Sequence, residues 1–299
     1  MKILLVTNAS KTTGLGHLIR CLQISSLLDE HNIENNIFLD IDQELDIRYL
    51  IENKKIIFGN YKELKNLNFK NYDLLIFDSY QNREILNNID IKKYLISDSP
   101  EDINYEINGI IDFNFENKLF YKNTNLDNLL GPEFFPISKK TTPEFIFKIN
   151  YSKYIKNVLI SIGGVSDNKL FELDSLINDF SNFENINLYI ADPQNKLSQY
   201  SNKCTTITQM SLSAILKTYA IDLALNNGGL SKHILFRNKI HCLFIERTSW
   251  EKQSINSFIR EVGGFKYVKG KDLRDYDFNN NLFEEIPLNN LNLIKYLTN

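Results

Sequence analysis

The chain has 299 residues, a formal net charge of −3, 43% hydrophobic and 24% charged residues, which suits two globular domains, each with its own core. No apolar run approaches the ~18 residues of a membrane span, and no basic stripe marks a nucleic-acid face. Three scattered cysteines, Cys21, Cys204 and Cys242, argue against a disulfide framework and for a reducing compartment. The expectation is a cytoplasmic monomer with no nucleic-acid partner and no leader segment, since the N-terminus enters a strand directly.

The first half alternates short apolar runs with helical patterns, the signature of βαβ units and a parallel sheet. Strands are expected at 2–7, 36–39, 55–58, 72–78, 94–97 and 109–112, and helices at 18–29, 44–52, 61–67 and 83–87. Leu18, Cys21, Leu22, Ile24, Leu27 and Leu28 recur at helical spacing and predict a face packed on the sheet. A stiff crossing, Gly131-Pro132-Glu133-Phe134-Phe135-Pro136, and a connection over 137–156 separate the halves. The second half restarts the pattern, with strands expected at 157–162, 186–190, 205–207, 222–225 and 240–245. Helices are expected at 170–180, 212–218, 232–237 and 251–260, and the tail 288–297 has helical periodicity. The expected division is 1–140 and 141–299, two α/β domains facing across a cleft, with the C-terminal helix packing back onto the first.

The chemistry concentrates at Thr13-Gly14-Leu15-Gly16-His17-Leu18-Ile19-Arg20-Cys21. Two glycines let the backbone come close to a ligand, and the start of the helix offers N–H groups and partial positive charge to an anion. His17, in the first turn, is expected to be neutral there and able to act as a base. The spacing does not fit a dinucleotide loop, because the third glycine position counted from Gly14 is Ile19, and no Gly-Lys-Ser/Thr marks a P-loop. Asp78-Ser79-Tyr80 and Asp98-Ser99-Pro100 end two strands on the same edge, where open parallel sheets bind ligands. As helix caps or turn formers the same aspartates would carry no chemistry. In the second half Gly163-Gly164 and Gly228-Gly229-Leu230-Ser231 repeat the strand–glycine turn–helix device, the latter suited to a diphosphate. The four histidines have no metal-ligand spacing, so no metal is expected. Trp250 is expected in the core rather than as a sugar platform.

Gly14-x-Gly16-His17-x-x-Arg20-Cys21 resembles the signature of the UDP-sugar hydrolases of pseudaminic acid biosynthesis, shared with related spore-coat polysaccharide proteins. Other residues follow in matching order: Asp78-x-Tyr80, Asp98, Leu130-Gly131-Pro132-x-Phe134, Gly163-Gly164 with Asp167, Gly228-Gly229-x-Ser231, and Gln253. The resemblance implies a GT-B fold of two Rossmann-like domains and a cofactor-free reaction. In it, water displaces UDP from the anomeric carbon of a UDP-linked 2,4-diacetamido-2,4,6-trideoxy sugar. His17 is implied as the general base, with Asp78 and Tyr80 placing sugar or water. Gly14, Gly16, Arg20, Asp98, Gly163, Gly164, Gly228, Gly229, Ser231 and Gln253 are implied to bind the substrate. Ile234 stands where the family has a Glu that holds the nucleotide ribose, and Lys239-Ile240-His241 replaces its Gly-x-Pro. The nucleotide is therefore expected to differ, to be held differently or not to be bound at all, with Lys232 or His233 meeting a phosphate or both lying at the surface. A GT-B glycosyltransferase with a glycan or protein acceptor is the alternative function, and a non-catalytic binding protein the third.

Overall fold

The computed structural model describes residues 1–10, 13–42, 44–51, 54–98, 103–114, 117, 120–121, 125–138, 155–162, 170–181, 185–192, 197–200, 202–246, 248–269, 276 and 290–298. They divide into two compact units, Met1–Thr141 with Ile286–Asn299, and Thr142–Glu285.

The first unit runs β1 (Lys2–Ala9), α1 (Gly16–Glu30), β2 (Glu34–Ile41), β3 (Ile56–Phe58), α2 (Tyr61–Leu64), β4 (Leu74–Asp78), β5 (Lys92–Ile96), β6 (Gly109–Asp112) and β7 (Leu129–Leu130). Its strands pair in parallel in the order β3-β2-β1-β4-β5-β6-β7. The central strands read as unbroken apolar runs because both faces are covered: Leu4, Leu5 and Val6 of β1 and Leu75, Ile76 and Phe77 of β4 are fully buried. The winding reverses between β1 and β4, where Thr7 stands opposite Asp78. Such a reversal opens a crevice at the carboxyl ends of the two strands.

Helix α1 buries the apolar set expected of it and more, since His17, Arg20, Gln23, Ser25 and Ser26 are buried as well. Each polar residue needs a partner to be there. Ser25 Oγ, for example, donates to Asn35 Oδ1 at 2.7 Å, and Asn35 Nδ2 donates to Asp29 Oδ1 at 2.8 Å.

Two expected helices take other forms. Residues 44–51 fold as turns rather than helix. There the Asp46 carboxylate accepts from the Arg48 backbone N–H at 3.2 Å and from the Arg48 side chain at 3.0 and 2.8 Å, a local arrangement that competes with helical pairing. Residues Arg83–Asn88 form a 3₁₀ helix, with the Lys93 ammonium donating to the Leu86 and Ile89 carbonyls at 2.9 and 2.7 Å.

The second unit runs β8 (Asn157–Ser161), α3 (Leu170–Ser181), β9 (Asn187–Ala191), β10 (Thr205–Ile207), α4 (Leu212–Tyr219), β11 (Leu223–Asn226), α5 (Ser231–Arg237), β12 (His241–Phe244), α6 (Ser249–Glu261) and β13 (Phe265–Lys266). Its sheet is again parallel, in the order β10-β9-β8-β11-β12-β13, with the reversal between β8 and β11. Val158, Ile160, Ile177, Phe180, Leu223, Leu225 and Leu243 form its core. Helix α6 opens with a capping box of Thr248 and Glu251. Helix α7 (Asn290–Thr298) belongs to the first unit, where the Tyr296 ring meets Phe134 edge-on at 5.6 Å. Both units are Rossmann-like. Among the described residues no helix is long and apolar enough to cross a membrane.

Candidate active site

The turn after β1 is built by Ser10, whose carbonyl accepts the Gly14 N–H at 2.8 Å and whose Oγ accepts the Thr13 N–H at 2.9 Å. Closing it needs Gly14 in the left-handed region, at φ +73°. Among the described residues a Cβ on Gly14 or on Gly16 would meet nothing within 4 Å, so they leave the space beside both backbones open. Among the described residues no side chain caps α1 and no acid lies in its first turn, leaving the positive end of a 15-residue helix uncompensated there.

His17 projects from that first turn to the end of β4. Its Nδ1 lies 2.7 Å from Asp78 Oδ1. The Asp78 carboxyl is fully buried, which pushes its pKa up, but the neighbouring Arg20 guanidinium and His17 more than reverse this and hold it at about 2. Asp78 is therefore an acceptor only, and Nδ1–H of His17 donates to it. That fixes the tautomer and leaves the Nε2 lone pair as the basic one. Among the described residues Nε2 makes no hydrogen bond.

Arg20, one turn further along α1, is 1% exposed. Its Nε donates to Asp78 Oδ2 at 2.7 Å and its Nη2 to Asp78 Oδ1 at 2.5 Å, while Nη1 donates to Asp98 Oδ1. The Phe113 ring lies 5.9 Å from the guanidinium carbon. Asp98 Oδ2 accepts from the Tyr80 hydroxyl at 3.0 Å, and the half-exposed Tyr80 ring stands edge-on to His17, with centroids 4.8 Å apart. Burial of the hydroxyl and the Asp98 charge both raise the Tyr80 phenol above its ordinary range, so it stays a donor. Arg83 stacks over the same ring at 5.2 Å and is steered by its Nε bond to the Ser79 carbonyl at 2.7 Å. The Cys21 thiol lies 3.8 Å from Asp78 Oδ2; burial, then Asp78, raise its pKa, so it is no nucleophile.

The structure thus brings together His17, Arg20, Asp78, Tyr80 and Asp98 at the switch point of the first sheet. Arg20, marked in the sequence for substrate, has its donors directed onto two carboxylates. Arg83, Asp112, Asn114 and Asn117 were missed. A signal for Asp112 existed: it ends β6 as Asp78 ends β4.

In the second unit the turn after β11 is rigid. Asn226 Oδ1 accepts the Gly228 N–H at 2.9 Å, and Asn226 Nδ2 donates to Ser231 Oγ at 2.6 Å and to the Ser161 carbonyl at 3.1 Å. Gly228 has φ +75°, and a Cβ there would lie 2.7 Å from Ile255 Cγ1. Lys232 and His233 are not at the surface, at 2% and 1% exposure. The Lys232 ammonium donates to the Gly228 carbonyl at 2.9 Å and to Ser254 Oγ at 2.6 Å, so it braces the turn from below. Ile234 is core, whereas Gln253 is exposed on α6. Burial drives the imidazoles of His233 and His241 down, the latter to about 4. Gly163, Gly164, Asp167, the Trp250 side chain and the connection over 139–154 lie outside the described residues. Among the described residues no cluster of three or more His, Cys, Asp or Glu is arranged to hold a metal ion.

No known protein-family profile matches the chain. In sequence it is 27% identical over 225 residues to an uncharacterised protein of Methanocaldococcus jannaschii, a match covering 67% of this chain and 46% of that one. The chain thus matches less than half the length of this relative. In structure it is similar to TcCGT1 in complex with UDP, with a TM-score of 0.57, 13% identity, and 89% of this chain and 85% of that one covered. It is also similar to UGT89C1 of Arabidopsis thaliana complexed with quercetin, with a TM-score of 0.56, 11% identity, and 98% and 92% covered. MurG of Acinetobacter baumannii gives a TM-score of 0.53, 11% identity, and 89% and 85% covered. These neighbours are GT-B glycosyltransferases, and at such identity the likeness establishes the fold: a GT-B-type chain of two Rossmann-like domains. Nothing in the comparisons is specific to the pseudaminic-acid hydrolases that the His17 motif resembles.

Proposed function

We propose that this protein processes a UDP-activated sugar, with His17 as the general base that deprotonates the attacking hydroxyl. The observation that carries the reading is the His17–Asp78 pair, 2.7 Å apart, at the switch point of a Rossmann-like sheet. Asp78 fixes the tautomer, so Nε2 accepts the proton of the nucleophile as its oxygen attacks the anomeric carbon. The C–O bond to the diphosphate breaks with its electron pair leaving on UDP. The start of α1, uncapped by any described side chain, favours the charge that builds on the departing phosphate. Both oxygens of Asp78 and of Asp98 are engaged by Arg20, His17 or Tyr80, so neither carboxylate serves as a covalent nucleophile. The reading is a single displacement with inversion at the anomeric carbon. Gly228, Gly229, Ser231 and Gln253 are assigned to the nucleotide, and Gly163 and Gly164 keep their sequence-based assignment to substrate.

The acceptor divides two versions. A sugar or protein hydroxyl makes the protein a glycosyltransferase, the version favoured by the company of solved structures, one of them with UDP bound. Water makes it the hydrolase of a UDP-linked 2,4-diacetamido-2,4,6-trideoxy sugar, favoured by the Gly14-x-Gly16-His17-x-x-Arg20-Cys21 motif. The test is proton NMR of UDP release from a panel of UDP-sugars, including that donor, with and without sugar and peptide acceptors. Release that accelerates about tenfold or more with an acceptor supports the transferase. Equal rates with and without acceptor support the hydrolase. No release from any donor, together with no thermal stabilisation by UDP, sinks both.

A further inference from the structure

At the Asp98 backbone lies a polar cluster that the proposed chemistry does not use. Asp112, at the end of β6, is fully buried. Its Oδ1 accepts from the Asn114 backbone N–H at 2.9 Å and from Asn114 Nδ2 at 3.1 Å, and its Oδ2 accepts from Asn117 Nδ2 at 2.6 Å. The same two side-chain amides reach forward to one atom, the backbone carbonyl of Asp98, at 3.3 Å from Asn114 and 3.2 Å from Asn117. Phe113, between Asp112 and Asn114 in sequence, lies against the Arg20 guanidinium and edge-on to Phe135 at 5.4 Å. One short segment therefore touches both members of the Asp98–Arg20 pair, and Asp112 is the acceptor that aims its two amides.

We propose that Asp112, acting through Asn114 and Asn117, is a positioning residue that holds Asp98 against Arg20 and so sets where Arg20, Asp78 and the His17 imidazole stand. An Asn side chain placed by chance points its amide at any nearby acceptor. Here two of them, three residues apart, share the same two acceptors, front and back. The geometry is that of a bracket: Asp112 at the rear, two amides as arms, and the Asp98 backbone at the front. Burial pushes the Asp112 carboxyl up to about 7, opposed by the Asn114 backbone N–H, reinforced by Asp98, and opposed again by the two side-chain amides. The bracket therefore costs the fold something to keep, in a place where an apolar residue would pack without that cost.

The inference rests on the proposed role of His17, so its test is chosen to be read without turnover. The full-length protein is labelled with nitrogen-15, and exchange of the Arg20 Nε–H and the His17 ring nitrogen shifts are followed by NMR in wild type, Asp112→Asn and Asp112→Ala. Exchange of the Arg20 Nε–H is expected to accelerate by about tenfold or more in Asp112→Ala and less in Asp112→Asn, which keeps one acceptor oxygen. The amides of β1 and β4 should stay within about twofold of wild type. Unchanged Arg20 and His17 signals in a folded Asp112→Ala protein overturn the proposal. So does a uniform loss of protection across the first unit, which marks a merely structural role. If Asp112→Ala does not fold, Asn117→Ala is read by the same criteria. Where a UDP-sugar is turned over, kcat should fall by roughly tenfold to a hundredfold with KM little changed. Where none is, the proposed function fails on its own and the exchange result still decides this inference.

Discussion

At the scale of single residues the site is an arrangement of charge around one buried cation. Arg20 stands between Asp78 and Asp98 and donates to both carboxylates. Removing one partner of such a group leaves a charge stranded in the interior. Arg20→Met is therefore expected to cost about 3–5 kcal/mol in urea unfolding, with part of the loss recovered in the Arg20→Met/Asp78→Asn double variant. His17 is different, because it meets Asp78 with one nitrogen and presents the other. His17→Gln is expected to lower turnover of a UDP-sugar by roughly 10²–10⁴-fold while UDP binding, read by thermal shift, persists. A histidine that served only packing would lose stability and affinity together. Legibility in the sequence was uneven here. His17, Asp78, Tyr80 and Asp98 carried local signals, a glycine-flanked helix start and polar residues ending apolar strands. The role of Arg20 had none, since its partners lie 58 and 78 residues away.

At the scale of elements, the two glycine turns look alike in sequence and differ in cause. Gly14 has φ +73° and no described atom within 4 Å of where a Cβ would stand, so Gly14→Ala is expected to cost the backbone strain, about 1–2 kcal/mol. Gly228 has φ +75° and would place its Cβ 2.7 Å from Ile255 Cγ1, so Gly228→Ala adds a steric clash with α6 to that strain. Removing the clashing Cγ1, as in Gly228→Ala/Ile255→Ala, should cost less in chemical denaturation than the sum of the two single variants, whereas Gly14→Ala has no such neighbour among the described residues. Spacing alone announces a turn in both cases. Whether the glycine is needed for its conformation or also for room depends on what packs against it. The expected helix over 44–52 is the same lesson from the other side. Its composition allows a helix, but the Asp46 side chain satisfies the Arg48 N–H locally and turns the chain instead.

At the scale of the whole molecule, the buried carboxyls give the first unit a pH dependence with two opposed limbs. Asp78 is held at about 2 against an ordinary 3.8, so its contribution, on the order of 2 kcal/mol, is present above pH ~4 and lost as pH falls toward 2. Asp112 is raised to about 7 from 3.8, so the folded state binds its proton more tightly. Its contribution, on the order of 4 kcal/mol, is present below pH ~4 and drains away as pH rises through 7. Denaturation midpoints of the first unit are expected to decline between about pH 4 and 7, and Asp112→Asn should flatten that decline while leaving the acid limb. A decline of the same slope in the variant would assign it to other groups. Because the chain forms two compact units, the unfolding of each is to be followed by its own probe rather than by one global signal.

The sequence by itself determined the alternation of strands and helices, the parallel character of both sheets, the glycine turns and the edge on which the polar residues collect. These follow from local rules: apolar runs covered on both faces, helical periodicity, and the conformations only glycine reaches freely. Tertiary structure alone decided which strand ends are neighbours. The pairing of β4 with β5 and of β5 with β6 sets Asp78, Asp98 and Asp112 side by side, and helix α1 lays Arg20 across the first two. It also turned Lys232 inward beneath the Gly228 turn, where the sequence left it between a phosphate and the surface. A polar residue enters the interior only when its partners are delivered to it, and those partners come from elements far apart in the chain. The identity of a residue is local information, whereas the satisfaction of its hydrogen bonds is a property of the assembled fold.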